Sequence, residues 1–308
     1  MSDTLKGILA MIAACFVWGL SPIFYKAIAH VPPLEVLSHR TIWSFVIFAL
    51  VLLGQGRFRQ ILTLLSERRN FALIAFSALM ISLNWFGFIF AIQLGRTVEA
   101  SLGYYLFPLT ASLLGLIFFR EKLAALQWFA MAMTVAAVLI LSLGLKAPPL
   151  IAIYLATSFG LYGVVKKALN AGPIVSVTAE VFVLLPFALS WIIAVQFFDV
   201  IGIAGRAGGF FAEDLVDSLF LISAGIITAT PLILFSYATK RLGLATIGLL
   251  QLLNPSLQFT VAVLALGEVI TFWHALAFPL IWAALALYSF VAMRRDRLLA
   301  SALRSSTV

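Results

Sequence analysis

Gln251, Asn254 and Gln258 recur at positions i, i+3 and i+7 of a stretch, 242–267, that carries no charge. On a helix this spacing puts all three amides on one face, which hydrocarbon cannot solvate. The face either ties helices together through hydrogen bonds or lines a solute path. Pro255 lies at the centre of the same stretch and Pro108 at the centre of another. Each proline removes an amide donor and frees the carbonyl four residues earlier, those of Gln251 and Tyr104. Freed backbone at membrane depth is tolerated in a packed kink or beside cavity water. Pro231 frees the carbonyl of Ile227 in the same way, close to Thr228 and Thr230. Trp18, Ser21, Pro22 and Tyr25 form a stripe on the first apolar stretch, with Asn84, Trp85 and Tyr162 on others. Such stripes are packing surfaces or the walls of a binding site.

The ionisable residues allow a second chemistry. His39 and Glu180 each fall five or six residues into an apolar stretch, roughly 8–9 Å deep by helical rise. Arg40 adjoins His39, and Glu35 stands one turn earlier. Intramembrane charges face protein or water. His39 and Glu180 are therefore either proton carriers or members of a polar brace, with Arg40 paired to Glu35 or another acid. Glu99 falls in the first turn of a helix that Thr97 would cap, where the dipole favours an acid; an acid at a mouth also attracts cations. Glu268 and Glu121 fall at short turns and read as structural.

The elements that must position these residues follow from composition. Of 308 residues, 63% are hydrophobic and 10% charged, with a mean hydropathy of +1.12. A soluble domain carries roughly 25% charged residues, so lipid is this chain's main solvent. A bilayer core of ~30 Å needs ~20 helical residues. The expected spans are 7–29, 34–54, 70–94, 97–119, 124–143, 148–168, 174–197, 216–239, 244–266 and 271–292. Ten spans place fifteen of the 20 Lys and Arg on the N-terminal side and four on the other, with Arg40 inside a span. The positive-inside rule then makes both termini cytoplasmic. The net charge of +8 is a topology signal rather than a nucleic-acid site, and the basic tail 294–308 rests on anionic lipid. Ala27-Ile28-Ala29 resembles a signal-peptide cleavage site, but the preceding apolar run is long and the segment reads as retained. Cys15, the only cysteine, reads as a small buried packing residue. His30, His39 and His274 have no metal-ligand spacing, and HExxH, GxSxG and a P-loop are all missing. The expectation is therefore no enzyme, no metal and no cofactor.

The two halves correspond. An offset of 141 aligns Trp18-Gly19 with Phe159-Gly160, Lys26-Ala27-Ile28 with Lys167-Ala168-Leu169, and His39 with Glu180. An offset of 147 aligns Asn84 with Pro231, Phe88 with Phe235, Ala91 with Ala238, Pro108 with Pro255 and Glu121 with Glu268. Five helices per half is an odd number, so the second half enters the membrane inverted, an arrangement of transporters. The expected fold is an all-α integral membrane protein of ten transmembrane helices: residues 1–146 as one five-helix repeat, 147–293 as the other, then the tail 294–308. At aligned positions one half supplies Tyr104, Phe107 and Ala111 where the other supplies the three amides, so a mainly neutral, aromatic and amide-lined cavity is expected.

Longer segments resemble a known family. They are His39-Arg40 with Trp43-Ser44, Asn84-Trp85, EASLGYYLFP from Glu99 to Pro108, and Glu121 with Gln127-Trp128. To these add SFGLYGVVKK from Ser158 to Lys167, Gly225-x-x-Thr228-x-x-Pro231-Leu232, Gly248-x-x-Gln251-x-x-x-Pro255, and Gly267-Glu268. In this order they resemble the drug/metabolite transporter superfamily, EamA type, RarD-like branch. The resemblance implies ten helices, an inner-membrane location and an exporter or permease; RarD-like proteins carry a label linked to chloramphenicol sensitivity. The function expected is alternating-access transport of small amphipathic or zwitterionic metabolites or drugs, against the alternatives of a channel or a lipid flippase. Expected partners are membrane lipid and a small-molecule substrate, with a homodimer left open and no nucleic acid.

Overall fold

The fold is described from a computed structural model covering residues 2–120, 123–146, 148–198, 200–202, 205–239, 241–242, 247 and 250–305, the last from 292 onward as backbone only. Among these residues there is no strand. The helices are α1 (Asp3–Ala27), α2 (Pro33–Gly54), α3 (Arg59–Ser66), α4 (Arg68–Gln93), α5 (Thr97–Phe119) and α6 (Ala125–Gly144). They continue as α7 (Leu150–Ala168), α8 (Pro173–Phe197), α9 (Leu215–Thr239), α10 (Leu253–Leu264) and α11 (Phe272–Ser305).

Nine of the described helices are long and apolar enough to cross a membrane. The exceptions are α3 and α10. The α10 helix has 12 residues, or roughly 18 Å of rise, too short to span alone. Most of the first part of the expected span 244–266, including Gly248, lies outside the described residues, as do Glu121 and the side chains of the tail. The α3 helix is an addition to the expected elements. Its Ile61 is buried while Arg59 and Gln60 are exposed, so it is a short amphipathic helix lying beside α4 and α8. At the C-terminal end the last helix runs past the expected limit of 292 to Ser305.

Polarity is inverted relative to a soluble protein. Leu143, Phe197 and Leu264 are exposed at 78%, 75% and 80%, whereas Glu35, Ser77 and Ser44 are fully buried. Apolar faces turned outward suit hydrocarbon, and the polar groups turned inward satisfy one another. Helices from the N-terminal half pack chiefly on helices from the C-terminal half: α1 on α9 and α10, α2 on α8 and α9, α4 and α5 on α7, and α6 on α11. Cys15 is buried on α1, its thiol 3.4 Å from the Leu250 carbonyl.

Glycines set the closest approaches. A Cβ at Gly225 of α9 would collide with the Trp43 Cβ and carbonyl carbon, and would lie 2.8 Å from the Ser44 nitrogen of α2. A Cβ at Gly103 of α5 would sit 2.9 Å from the Ala152 carbonyl oxygen of α7. Small residues let backbones approach, and this contact supplies attraction that lipid-matched apolar surfaces do not. Gly225→Ala should therefore lower stability by about 1–3 kcal/mol. Gly54→Ala, where a Cβ meets nothing, should change little. Thermal unfolding of both variants in detergent checks the contrast.

Candidate functional site

A cavity of about 930 Å³ runs through the middle of the bundle. That is within the range of small-molecule sites. Its wall takes Trp18 and Tyr25 from α1, Arg40 from α2, and Asn84 and Trp85 from α4. The α5 helix adds Tyr104, Phe107 and Pro108, and α7 adds Phe159, Tyr162, Lys166 and Lys167. Gln251, Asn254, Pro255 and Gln258 complete the wall around α10. One end reaches the exposed residues Lys167 and Pro173, at the C-terminal end of α7 and the N-terminal end of α8; the other ends among the buried residues Tyr25, Arg40 and Asn84.

The lining is organised by hydrogen bonds. The Asn84 amide donates to the Leu155 carbonyl at 3.0 Å and to Ser158 Oγ at 3.1 Å, and its oxygen accepts from the Tyr104 hydroxyl at 3.1 Å. All three groups of one side chain on α4 thus fix α5 and α7. The α10 amide face is also in contact with the protein: Gln258 Nε2 donates to Asn254 Oδ1 at 3.1 Å, and Gln258 Oε1 is buried without a partner. Gln258 Nε2 also reaches the Trp18 carbonyl of α1 at 3.5 Å, so the face touches a neighbouring helix as well as lining the cavity. Aromatic rings form the opposite wall, Phe107 against Phe159 at 4.7 Å and Phe159 stacked on Tyr162 at 5.7 Å.

Arg40 is at the buried end. Its Nη1 donates to the Tyr25 hydroxyl at 2.9 Å, and its guanidinium lies 4.2 Å from the Trp85 ring centroid. Among the described residues its buried Nε has no partner. The expected brace with Glu35 does not form. Glu35 instead accepts from the backbone amides of Gly209 at 3.0 Å and Phe210 at 2.9 Å, which tie the segment before α9 onto α2. In the same segment Arg206 donates to the Ala29 carbonyl and to Gln93 Oε1, both at 2.7 Å, and Phe211 packs on His39 at 4.6 Å. The segment forms a strap across the ends of α1, α2 and α4.

His39 and Glu180, equivalent by offset, are not equivalent in place. Both His39 ring nitrogens are buried and unpartnered. Glu180 pairs with Lys166 at 2.5 Å and accepts from the hydroxyls of Ser77 at 2.6 Å and Tyr162 at 3.3 Å. Neither lines the cavity. Thr228 and Pro231 are also outside the wall, although Ile227, whose carbonyl Pro231 frees, is part of it. Glu99 stands in the first turn of α5, as expected. It pairs with Arg96 at 2.7 Å and accepts from the Ile151 amide at 2.9 Å, joining the starts of α5 and α7. The Thr97 hydroxyl caps nothing; Glu268 does so from a distant turn, accepting from the Thr97 and Val98 amides at 2.6 and 2.8 Å.

The cavity is therefore less neutral than expected. Lys166 and Lys167 join the wall, although their place at a helix end, where basic residues are common, gives no sign of a cavity role. Phe159 and Phe235 also line it; their signal was alignment with Trp18 and Phe88 in the other half.

Apolar helices around a solute-sized cavity lined by aromatic rings, amides and a few cations define a multi-pass membrane protein of the transporter class. The first half of the chain, residues 5–143, matches the EamA-like transporter family. An uncharacterized transporter of Vibrio cholerae is 38% identical over 93% of both chains. The protein RarD of Salmonella typhi is 37% identical over 96% of this chain and 98% of its own. One solved crystal structure superposes with a TM-score of 0.59 over 94% of this chain and 98% of that chain; at 19% identity it supports the fold alone. The chain belongs to the EamA-like transporter family, in its RarD-like branch.

The ion pair behind the wall gives a directional test. Glu180 is 1% exposed and Lys166 22% exposed. Lys166→Met leaves a buried carboxylate without its cation and should destabilise by about 3 kcal/mol, whereas Glu180→Gln leaves a lysine that can reach solvent and should cost less. Thermal unfolding of the two variants in one detergent measures the order.

Proposed function

We propose that this protein moves small amphipathic solutes across the inner membrane by alternating access, exporting them through the central cavity. Its unequal ends carry the reading: one reaches exposed residues, while the other is buried and lies on the side that the strap covers. A transporter caught facing one side has this form.

The proposed architecture is ten spans in two inverted repeats, 1–146 and 147–293, with both termini cytoplasmic. The packing supports it, because exchanging the halves maps each major contact onto another. The α1–α10 contact corresponds to α7–α5, α1–α9 to α7–α4, and α2–α9 to α8–α4, while α2–α8, α5–α10 and α6–α11 map onto themselves. Contacts between helix ends agree with the side assignment. Arg206 with Ala29 and Gln93, Glu268 with Thr97, Glu99 with Ile151 and His30 with Asp217 all join ends assigned to the side away from the termini. Lys167 and Pro173 then mark a cytoplasmic mouth, and the strap closes the other. Two similar halves exchanging conformations would open one mouth as they close the other.

Reconstituted in liposomes, the protein should show counterflow of at least one member of a panel of amino acids, nucleosides and amphipathic drugs. A panel in which nothing moves removes the proposal, and a steady conductance replaces it with a channel. Counterflow with and without a pH gradient tests coupling: indifference to the gradient discards His39 and Glu180 as proton carriers.

The strap makes a separate prediction. Glu35→Gln replaces a charged acceptor of two backbone amides with a neutral one, weakening the hold on the segment. Deuterium uptake across 205–213 should rise while α5 and α7 stay protected, with a change in counterflow rate. Unchanged uptake would rule out Glu35 as the clasp of this gate.

A further inference from the structure

We infer that the cavity selects solutes carrying a single carboxylate, with Arg40 as the group that receives it. The inference rests on the transport reading for its biological use, but the binding site it assigns stands on Arg40 alone.

Arg40 lines the cavity and is 6% exposed. A guanidinium does not lose its proton in a protein, so this is a permanent charge. Such a charge inside a membrane protein is retained with an anion beside it or with one arriving. Among the described residues no carboxylate forms an ion pair with Arg40. Four acids of the bundle have other bonds. Glu35 holds the strap amides, and Glu180 holds Lys166, Ser77 and Tyr162. Glu99 and Glu268 accept from backbone amides at helix starts.

The whole wall has the same sign. Among the described residues its charged lining groups are Arg40, Lys166 and Lys167, with no Asp or Glu. Glu180 balances Lys166, which leaves Arg40 as the unbalanced charge at the deep end. The Trp85 face and the Tyr25 hydroxyl each occupy part of the guanidinium, and they are neutral. Nε remains buried without an acceptor. A planar carboxylate matches the geometry of an arginine's remaining donors, and its one negative charge balances the one positive charge. The rest of the solute would meet the rings of Phe107 and Phe159 and the amides of Asn254 and Gln258, so an aromatic or amphipathic body fits behind the acid.

Matched acid and amide pairs test this on the purified full-length protein: benzoate with benzamide, 3-phenylpropionate with 3-phenylpropanamide, and indole-3-acetate with indole-3-acetamide. Binding is read by thermal stabilisation for all three pairs and by quenching of tryptophan fluorescence for the two phenyl pairs, in a low-chloride buffer free of carboxylates. At least one acid should bind about tenfold or more tightly than its amide, the scale of one charge-assisted pair. Arg40→Gln should erase that difference while leaving amide binding in place. Arg40→Lys, which keeps charge but loses the fork, should keep part of it. If Arg40→Gln fails to fold, the acid-over-amide preference of the wild type and its reduction in Arg40→Lys still decide the matter. Equal binding of acids and amides, no binding of any acid, or a response to chloride alone overturns the assignment. Arg40-dependent acid binding without counterflow would leave this site standing and remove the transport proposal. Counterflow without acid preference would do the reverse.

Discussion

Hydrocarbon offers no partner to a polar group, and this constraint orders the rest of the molecule. Each carboxylate taken into the bundle must be satisfied by the protein itself. Glu99 and Glu268 do so by accepting backbone amides at helix starts, and Glu35 by accepting those of the strap. Helix starts have unpaired donors and a positive dipole end, so an acid there serves both charge and backbone. These acids therefore tie helix ends to one another and to the strap. Using them in this way also leaves the deep cation, Arg40, without a protein counter-ion.

The two halves share a packing plan and differ in chemistry. At aligned positions α5 presents Tyr104 and Phe107 to the cavity, while Gln251 and Asn254 take the corresponding places beside α10. The first half carries its buried charge as Arg40 against Tyr25 and Trp85; the second carries Glu180 against Lys166. Under the proposed repeat, helix crossings are kept because close backbone contacts constrain them, as at Gly225 against Trp43. Cavity side chains are free to diverge since a solute meets both halves together. The result is one aromatic wall, one amide wall and a positive interior.

The elements were legible because the signals that define them are local. Apolar runs interrupted by charge located eight of the helices at both ends, and the last at its start, to within a few residues, since a bilayer demands length and hydrophobicity of each span separately. The α3 helix was missed because eight residues with a small apolar face leave too short a pattern to stand out. Ten of the twelve residues expected to line the site do so, among them Tyr104, Pro108, Gln251 and Asn254, because polar and kink-forming residues at membrane depth have few other uses. The charge partners were not legible. Arg40 was expected beside Glu35 because one helical turn separates them, yet Glu35 is drawn to Gly209 and Phe210, 174 and 175 positions away.

Sequence alone thus determined that the chain lives in lipid, where its helices run, and that a polar seam must lie among them. Each of these follows from the energy of single segments against hydrocarbon. Only the tertiary structure decided that Glu180 answers Lys166, that Glu268 caps α5 and that Arg40 faces the cavity without an acid. Those outcomes depend on which distant groups meet in space, and hydrogen-bond geometry, unlike hydrophobicity, leaves no periodic mark along the chain.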